Sequence, residues 1–95
     1  MNKEEFETLN RLASEKLREL ALECGLDLAF IEDRTQKVDT GWVFFYNTRE
    51  FVSTGDPTAA LAGNGPIFVT NDGTVHLLPS SIPWKRAVKE LGRNG

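Results

Sequence analysis

An α+β fold is what this 95-residue chain predicts: a long N-terminal helix, a four-stranded antiparallel sheet made from two hairpins, and a short C-terminal helix. Three observations carry the prediction. Phe6, Leu9, Ala13, Leu17, Leu20 and Cys24 recur at steps of three and four, the stripe of an amphipathic helix. From Leu26 onward the apolar period shortens to two, the period of a strand. Past Pro83, helical spacing returns with Trp84, Ala87, Val88 and Leu91. Sheet and helices must bury their apolar sides against each other, so both helices are expected on one sheet face. The length suits one domain, residues 1–95, with one core.

The first helix spans residues 3–24. Asn2 is placed to cap it, Glu5 takes the capping-box position and Gly25 stands where helices end. Glu7–Arg11 and Arg11–Glu15 are i,i+4 pairs on its other faces. The stripe covers only three heptads, which favours packing on a sheet over a coiled coil. A strand follows from Leu26 to about Lys37, then a turn at "VDTG" (38–41), then the strand "WVFFYN" (42–47). That second strand is apolar on both faces, with Trp42, Phe44 and Tyr46 on one and Val43 and Phe45 on the other, so it belongs near the middle of the sheet. "TGDPTAALAG" (54–63) reads as a loop with a short helix, capped by Asp56, opened by Pro57 and ended by Gly63.

The second hairpin can be placed by trying its register. With Asp72-Gly73 as a two-residue loop, Val69 faces His76 and apolar and polar residues mix on each face. With Asn71-Asp72-Gly73 as a three-residue loop, Val69 faces Val75, Phe68 faces His76 and Ile67 faces Leu77. One face is then uniformly apolar, and Gly73 sits where such a loop requires a left-handed residue. The three-residue loop is predicted.

Charge and composition narrow the function classes. The net charge is −3, with residues 25–84 at −4 and residues 85–95 at +3. An acidic middle argues against nucleic acid as the main partner and fits a basic protein surface. The single cysteine allows no internal disulfide, the N-terminus lacks the basic and apolar regions of a signal peptide, and no apolar run approaches a bilayer's thickness. A cytoplasmic protein without membrane contact is expected.

No catalytic grouping stands out, and neither a cofactor nor a metal site is expected. Gly63-Asn64-Gly65 follows a short helix and precedes a strand, the reverse of a phosphate cradle, and no lysine lies near. His76 is the only histidine and falls mid-strand without a positioned partner. Cys24 ends a helix, where the dipole disfavours a thiolate, and belongs to the apolar stripe, so it reads as core. Glu32 and Asp33, as neighbours in a strand, point to opposite faces and cannot act on one bond.

What is left is a surplus of aromatic residues on a small sheet, rimmed by acids. Two readings stand side by side: loop 48–62 folds over the aromatic face, or that face meets a protein. The candidate partner-binding residues are Glu32, Asp33, Asp39, Glu50 and Asp72 on the rim, with Tyr46, Phe68 and His76 on the sheet. Self-association into a homodimer through the same face stays open.

"GWVFFYNT", a short insert, then "LAGNGPIFVTNDGTVHLLPSSIP" and a closing amphipathic helix together resemble the immunity protein 35 family of bacterial polymorphic-toxin systems. The resemblance covers roughly residues 1–91. It is most specific at Trp42–Tyr46 and at Gly63–Pro66, where Trp42, Gly63 and Asn64 match as structural residues. Two features depart from the family pattern: Ser80-Ser81-Ile82 replaces a small pair such as Thr-Gly, and the closing helix is basic. No contact through that helix is carried over. The resemblance implies a non-enzymatic inhibitor that binds one cognate toxin domain stoichiometrically. A related small bacterial protein is chaperone-like, which implies binding of non-native clients as the alternative.

Overall fold

The computed structural model describes residues 3–94. Its elements are α1 (Lys3–Cys24), β1 (Leu28–Phe30), β2 (Gln36–Val38), β3 (Gly41–Phe44), β4 (Tyr46–Thr48), α2 (Arg49–Thr54), β5 (Ile67–Thr70), β6 (Val75–Leu77) and α3 (Trp84–Asn94). The α+β class and both terminal helices are as predicted. The Asn2 cap lies outside the described residues.

Four antiparallel strands form one sheet in the order β2-β3-β5-β6, and β1 and β4 form a separate two-stranded ladder. The doubly apolar strand thus sits inside the sheet, as its pattern requires. The predicted strand 26–37 is not continuous. Gln36 faces Val43 on one side of a break and Phe30 faces Tyr46 on the other. Residues 31–35 intervene on the first arm but only 44–45 on the second, so three extra residues interrupt one long hairpin. They are taken up by a 3-10 turn, Glu32–Arg34, closed by Thr35 N–H donating to Glu32 O at 3.2 Å. Ile31 N–H still reaches Phe45 O at 2.8 Å, which keeps the two arms aligned across the insert. The predicted strand 42–47 breaks at the same place. Period-two apolarity runs through Leu26–Phe30 and resumes later, which hides a surface turn from sequence.

The second hairpin adopts the predicted register, with Ile67 opposite Leu77, Phe68 opposite His76 and Val69 opposite Val75. Thr70 N–H donates to Thr74 O at 2.9 Å, and Gly73 takes φ +89, which a three-residue loop requires of it.

Strand alternation sends these residues into two cores. Leu9, Ala13 and Leu17 of α1 bury against Phe44, Tyr46, Ile67 and Val69. On the opposite face Val43, Phe68 and Leu78 bury against Ala87 of α3, with Trp84, Val88 and Leu91 partly buried around them. The expected placement of both helices on one face is therefore corrected. A central strand apolar on both sides needs cover on both sides, and each helix supplies one. Cys24 is corrected too: it is exposed, as are Leu22 and Glu23 in the same last turn of α1.

Segment 48–62 holds more structure than expected. Thr48 Oγ1 accepts from Phe51 N–H at 3.1 Å and so caps α2, a helix the sequence reading missed. Asp56 caps a 3-10 turn at Pro57–Ala59 as predicted, but that turn ends at Ala59 rather than at Gly63. The segment does not fold over the aromatic face. It runs along the outer edge of β4, held by side chains. Asn47 Oδ1 accepts from Leu61 N–H at 2.6 Å, Thr48 Oγ1 donates to Ala59 O at 2.8 Å, and Asn64 Nδ2 donates to Tyr46 O at 3.1 Å. These bonds satisfy and cover an open strand edge, which gives Asn64 the structural role its motif suggested.

Candidate partner-binding surface

Exposure and internal bonding sort the eight candidate residues. Phe68 is 1% exposed and Tyr46 is 6% exposed, so the structure places both rings inside the two cores. Burial raises the Tyr46 phenol above its ordinary value of 10.0, partly opposed by a hydrogen bond with Asn64. Neither ring is offered to a partner in this conformation.

Asp72 is on the surface but already engaged. Its carboxylate accepts from the Thr70 hydroxyl and from Thr74 N–H at 3.2 Å, which closes the hairpin loop. The Thr70 hydroxyl first, and then Thr74, stabilise the charged form and lower the Asp72 pKa below its ordinary 3.8. A depressed folded-state pKa means that this contribution is complete above the unfolded value and is lost as pH falls through the folded one. The stability difference between the native protein and Asp72→Ala is therefore expected to be constant near neutral pH and to shrink below about pH 4. Urea midpoints measured from pH 7 downward check this, and a difference that widens on acidification contradicts it.

At the same end of the sheet Asn71 ties the two loops together, its N–H donating to Thr40 O at 2.8 Å and its Nδ2 to Asp39 O at 3.0 Å. Asp39, Asp72, Phe68 and His76 line one open groove of about 500 Å³ between these loops and α3. His76 lies over Phe68 with ring centroids 5.9 Å apart, a packed position with no carboxylate partner among the described residues. Glu50 lies apart, in a groove between α2 and the Thr58–Leu61 segment.

Glu32 and Asp33 have a different setting. They belong to the 3-10 insert, not to a strand, and none of the insert's residues is buried. Glu32 and Asp33 therefore do not alternate across a sheet, as the sequence suggests. Glu32 rims a groove of about 540 Å³ walled by Phe6, Phe30, Trp42 and Phe44 together with the polar Asn10, Ser14 and Thr35. These four rings form a chain: Phe6 meets Trp42 edge-on at 4.7 Å, stacks on Phe44 at 6.2 Å, and Phe44 meets Phe30 at 5.5 Å. Phe6, Phe30 and Trp42 remain partly exposed. The Trp42 indole N–H is closed off from solvent with no acceptor among the described residues. On the other side of the insert, Glu32 and Asp33 border a second groove with Phe30, Phe51 and Val52. Sequence reading missed Phe6 and Phe30 as surface residues. Both carry the right periodicity for core and do pack against the α1-side core, but only in part, and their remaining surface lines the groove beside the insert.

No group of three or more His, Cys, Asp and Glu residues among those described could hold a metal ion. No helix there is long and apolar enough to cross a membrane.

The sequence matches the immunity protein 35 family over residues 9–90. The chain belongs to the immunity protein 35 family. That match spans most of α1 through most of α3 and takes in most of the residues of every groove described above, though Phe6 lies before it. A protein of Escherichia coli K12, described as "Uncharacterized protein YrhB", is 34% identical over 65 residues, which is 67% of this chain and 69% of YrhB. No solved structure matches the chain. Membership suggests an immunity role and implies a non-enzymatic one that works by binding a toxin.

Proposed function

We propose that this chain is a cytoplasmic immunity protein that binds one cognate toxin domain and neutralises it stoichiometrically. The family match over residues 9–90 carries the reading. The disposition of charge supports it. Among the candidate acids, Glu32, Asp33, Asp39 and Glu50 are exposed, and none of them forms an ion pair among the described residues. Unengaged carboxylates on a small rigid scaffold steer and select a basic partner. The chaperone alternative called for aromatic sheet faces open in the free protein, whereas α1 and α3 bury most of these rings, Phe44, Tyr46 and Phe68 among them, and leave a groove at Phe6, Phe30 and Trp42 partly open.

Co-expression with the toxin domain encoded in the adjoining reading frame tests the proposal. Growth is expected to be rescued, and the purified pair is expected to elute as a 1:1 complex. A toxin that kills equally well with this protein present, and that does not co-elute with it, removes the proposal.

A further inference from the structure

We propose that the toxin is held at the three-residue insert, by a loop whose arginine or lysine seats its cation in the aromatic groove beside Glu32, with Asp33 as a second anchor. This inference rests on the immunity reading and names the surface and the chemistry of that contact.

Four observations point to this place. The insert Glu32–Arg34 interrupts a hairpin that pairs regularly on either side, and it buries nothing, so core packing does not require it. The groove it overhangs joins aromatic walls to a single formal charge, and that charge is negative. No basic side chain lines either groove flanking the insert among the described residues. A cation over the rings of Phe6, Phe30 and Trp42 gains from their electron-rich faces, and Glu32 supplies the counter-charge at the rim. The chain shows the same chemistry on the opposite side of the insert, where Arg34 lies 5.1 Å from the centre of the Phe45 ring.

The loop end of the sheet is the rival surface, and it is less suited. One of its two acids, Asp72, is consumed by its own hairpin loop, and Phe68 on its floor is 1% exposed. At the insert neither carboxylate forms an ion pair among the described residues, and three rings are partly exposed. Aromatic walls beside a charge pair shield part of it from water once a partner is seated, the setting in which interface residues contribute most.

Titration calorimetry with the cognate toxin domain tests the assignment by comparing two double variants of equal charge change. Glu32→Lys with Asp33→Lys is expected to weaken binding by about 100-fold, the scale of a truncated interfacial charge pair. Glu7→Lys with Glu23→Lys, on α1 and outside both grooves, is expected to stay within about threefold, because it alters only long-range attraction. All four positions are exposed, and circular dichroism of each variant confirms that it is folded. Equal losses in the two variants, or a larger loss in the second, overturn the assignment while leaving the immunity reading intact. A wild-type protein that does not bind the toxin removes both.

Discussion

Gly65→Ala is expected to lower stability by about 3 kcal/mol or more, equivalent to a fall of roughly 15 °C in Tm. Gly65 is buried where the chain enters β5, and a Cβ there would overlap the Leu78 carbonyl oxygen, lying 2.7 Å from Leu78 C and 3.0 Å from Pro79 C. These are backbone atoms, so no rotamer relieves the clash. The chain must separate where Leu78 N–H donates to Pro66 O at 2.9 Å, and Leu78 itself is a buried member of the α3-side core. Gly63, two residues earlier, has open space around its Cβ position but takes φ +76. Gly63→Ala therefore carries only the left-handed backbone cost, about 1 kcal/mol, and Gly63→Asn carries less because asparagine tolerates that region. Thermal or urea denaturation of the three variants separates the two causes. If Gly63→Ala is as damaging as Gly65→Ala, close packing is the wrong account of this motif.

The contrast shows which kinds of information a sequence holds. "GNG" does lead into a strand, β5, as its place in the sequence suggested, but no helix ends at Gly63. Nothing local reveals that one glycine serves a dihedral angle and the other a contact with residue 78, because that contact comes from strand pairing. The hairpin at 67–77 was legible for the opposite reason. Its loop and its alternation both lie within eleven residues, and only one register keeps the apolar residues on one face. The break at residues 31–35 was illegible because the alternation on either side of it is compatible with one unbroken strand. Helix α2 was missed because a six-residue helix has too few turns to show a stripe, although Thr48 and Gly55 mark its two ends.

The candidate surface divides along the same line. That acids would be exposed follows from their chemistry, and five of them are. Which acids are available does not follow, since it depends on hydrogen bonds such as those of Asp72 to Thr70 and Thr74. The aromatic surplus was visible, and the inference that a two-sided apolar strand sits centrally is correct. The step from surplus to exposed face failed because both helices were assigned to the same face, which left the other uncovered. Tyr46 and Phe68 then stood as contact residues, whereas opposite faces covered by opposite helices bury both.

Phe68→Ala is the second large effect, expected to lower stability by about 3–5 kcal/mol. For a 95-residue chain the whole stability is roughly 5–14 kcal/mol, so this one change removes a substantial share of it. Phe68 is also expected to act unevenly across the fold. The α1-side core holds eight buried residues among those described, while the α3-side core holds four, of which Phe68 is the largest. Without its ring, Val43 and Ala87 face a void, His76 loses the surface it stacks on, and α3 keeps only partly buried contacts through Trp84, Val88 and Leu91. The second core is too small to absorb such a void by repacking, so α3 should open before the rest of the molecule. Native-state hydrogen exchange is expected to show α3 amides losing protection at lower urea than those at the centre of α1. Phe68→Leu, which keeps most of the volume, should cost about 1.5 kcal/mol or less and leave α3 docked. Equal protection of α1 and α3 in Phe68→Ala would mean that the two cores unfold as one, and that the ring's burial does not make it the anchor of the closing helix.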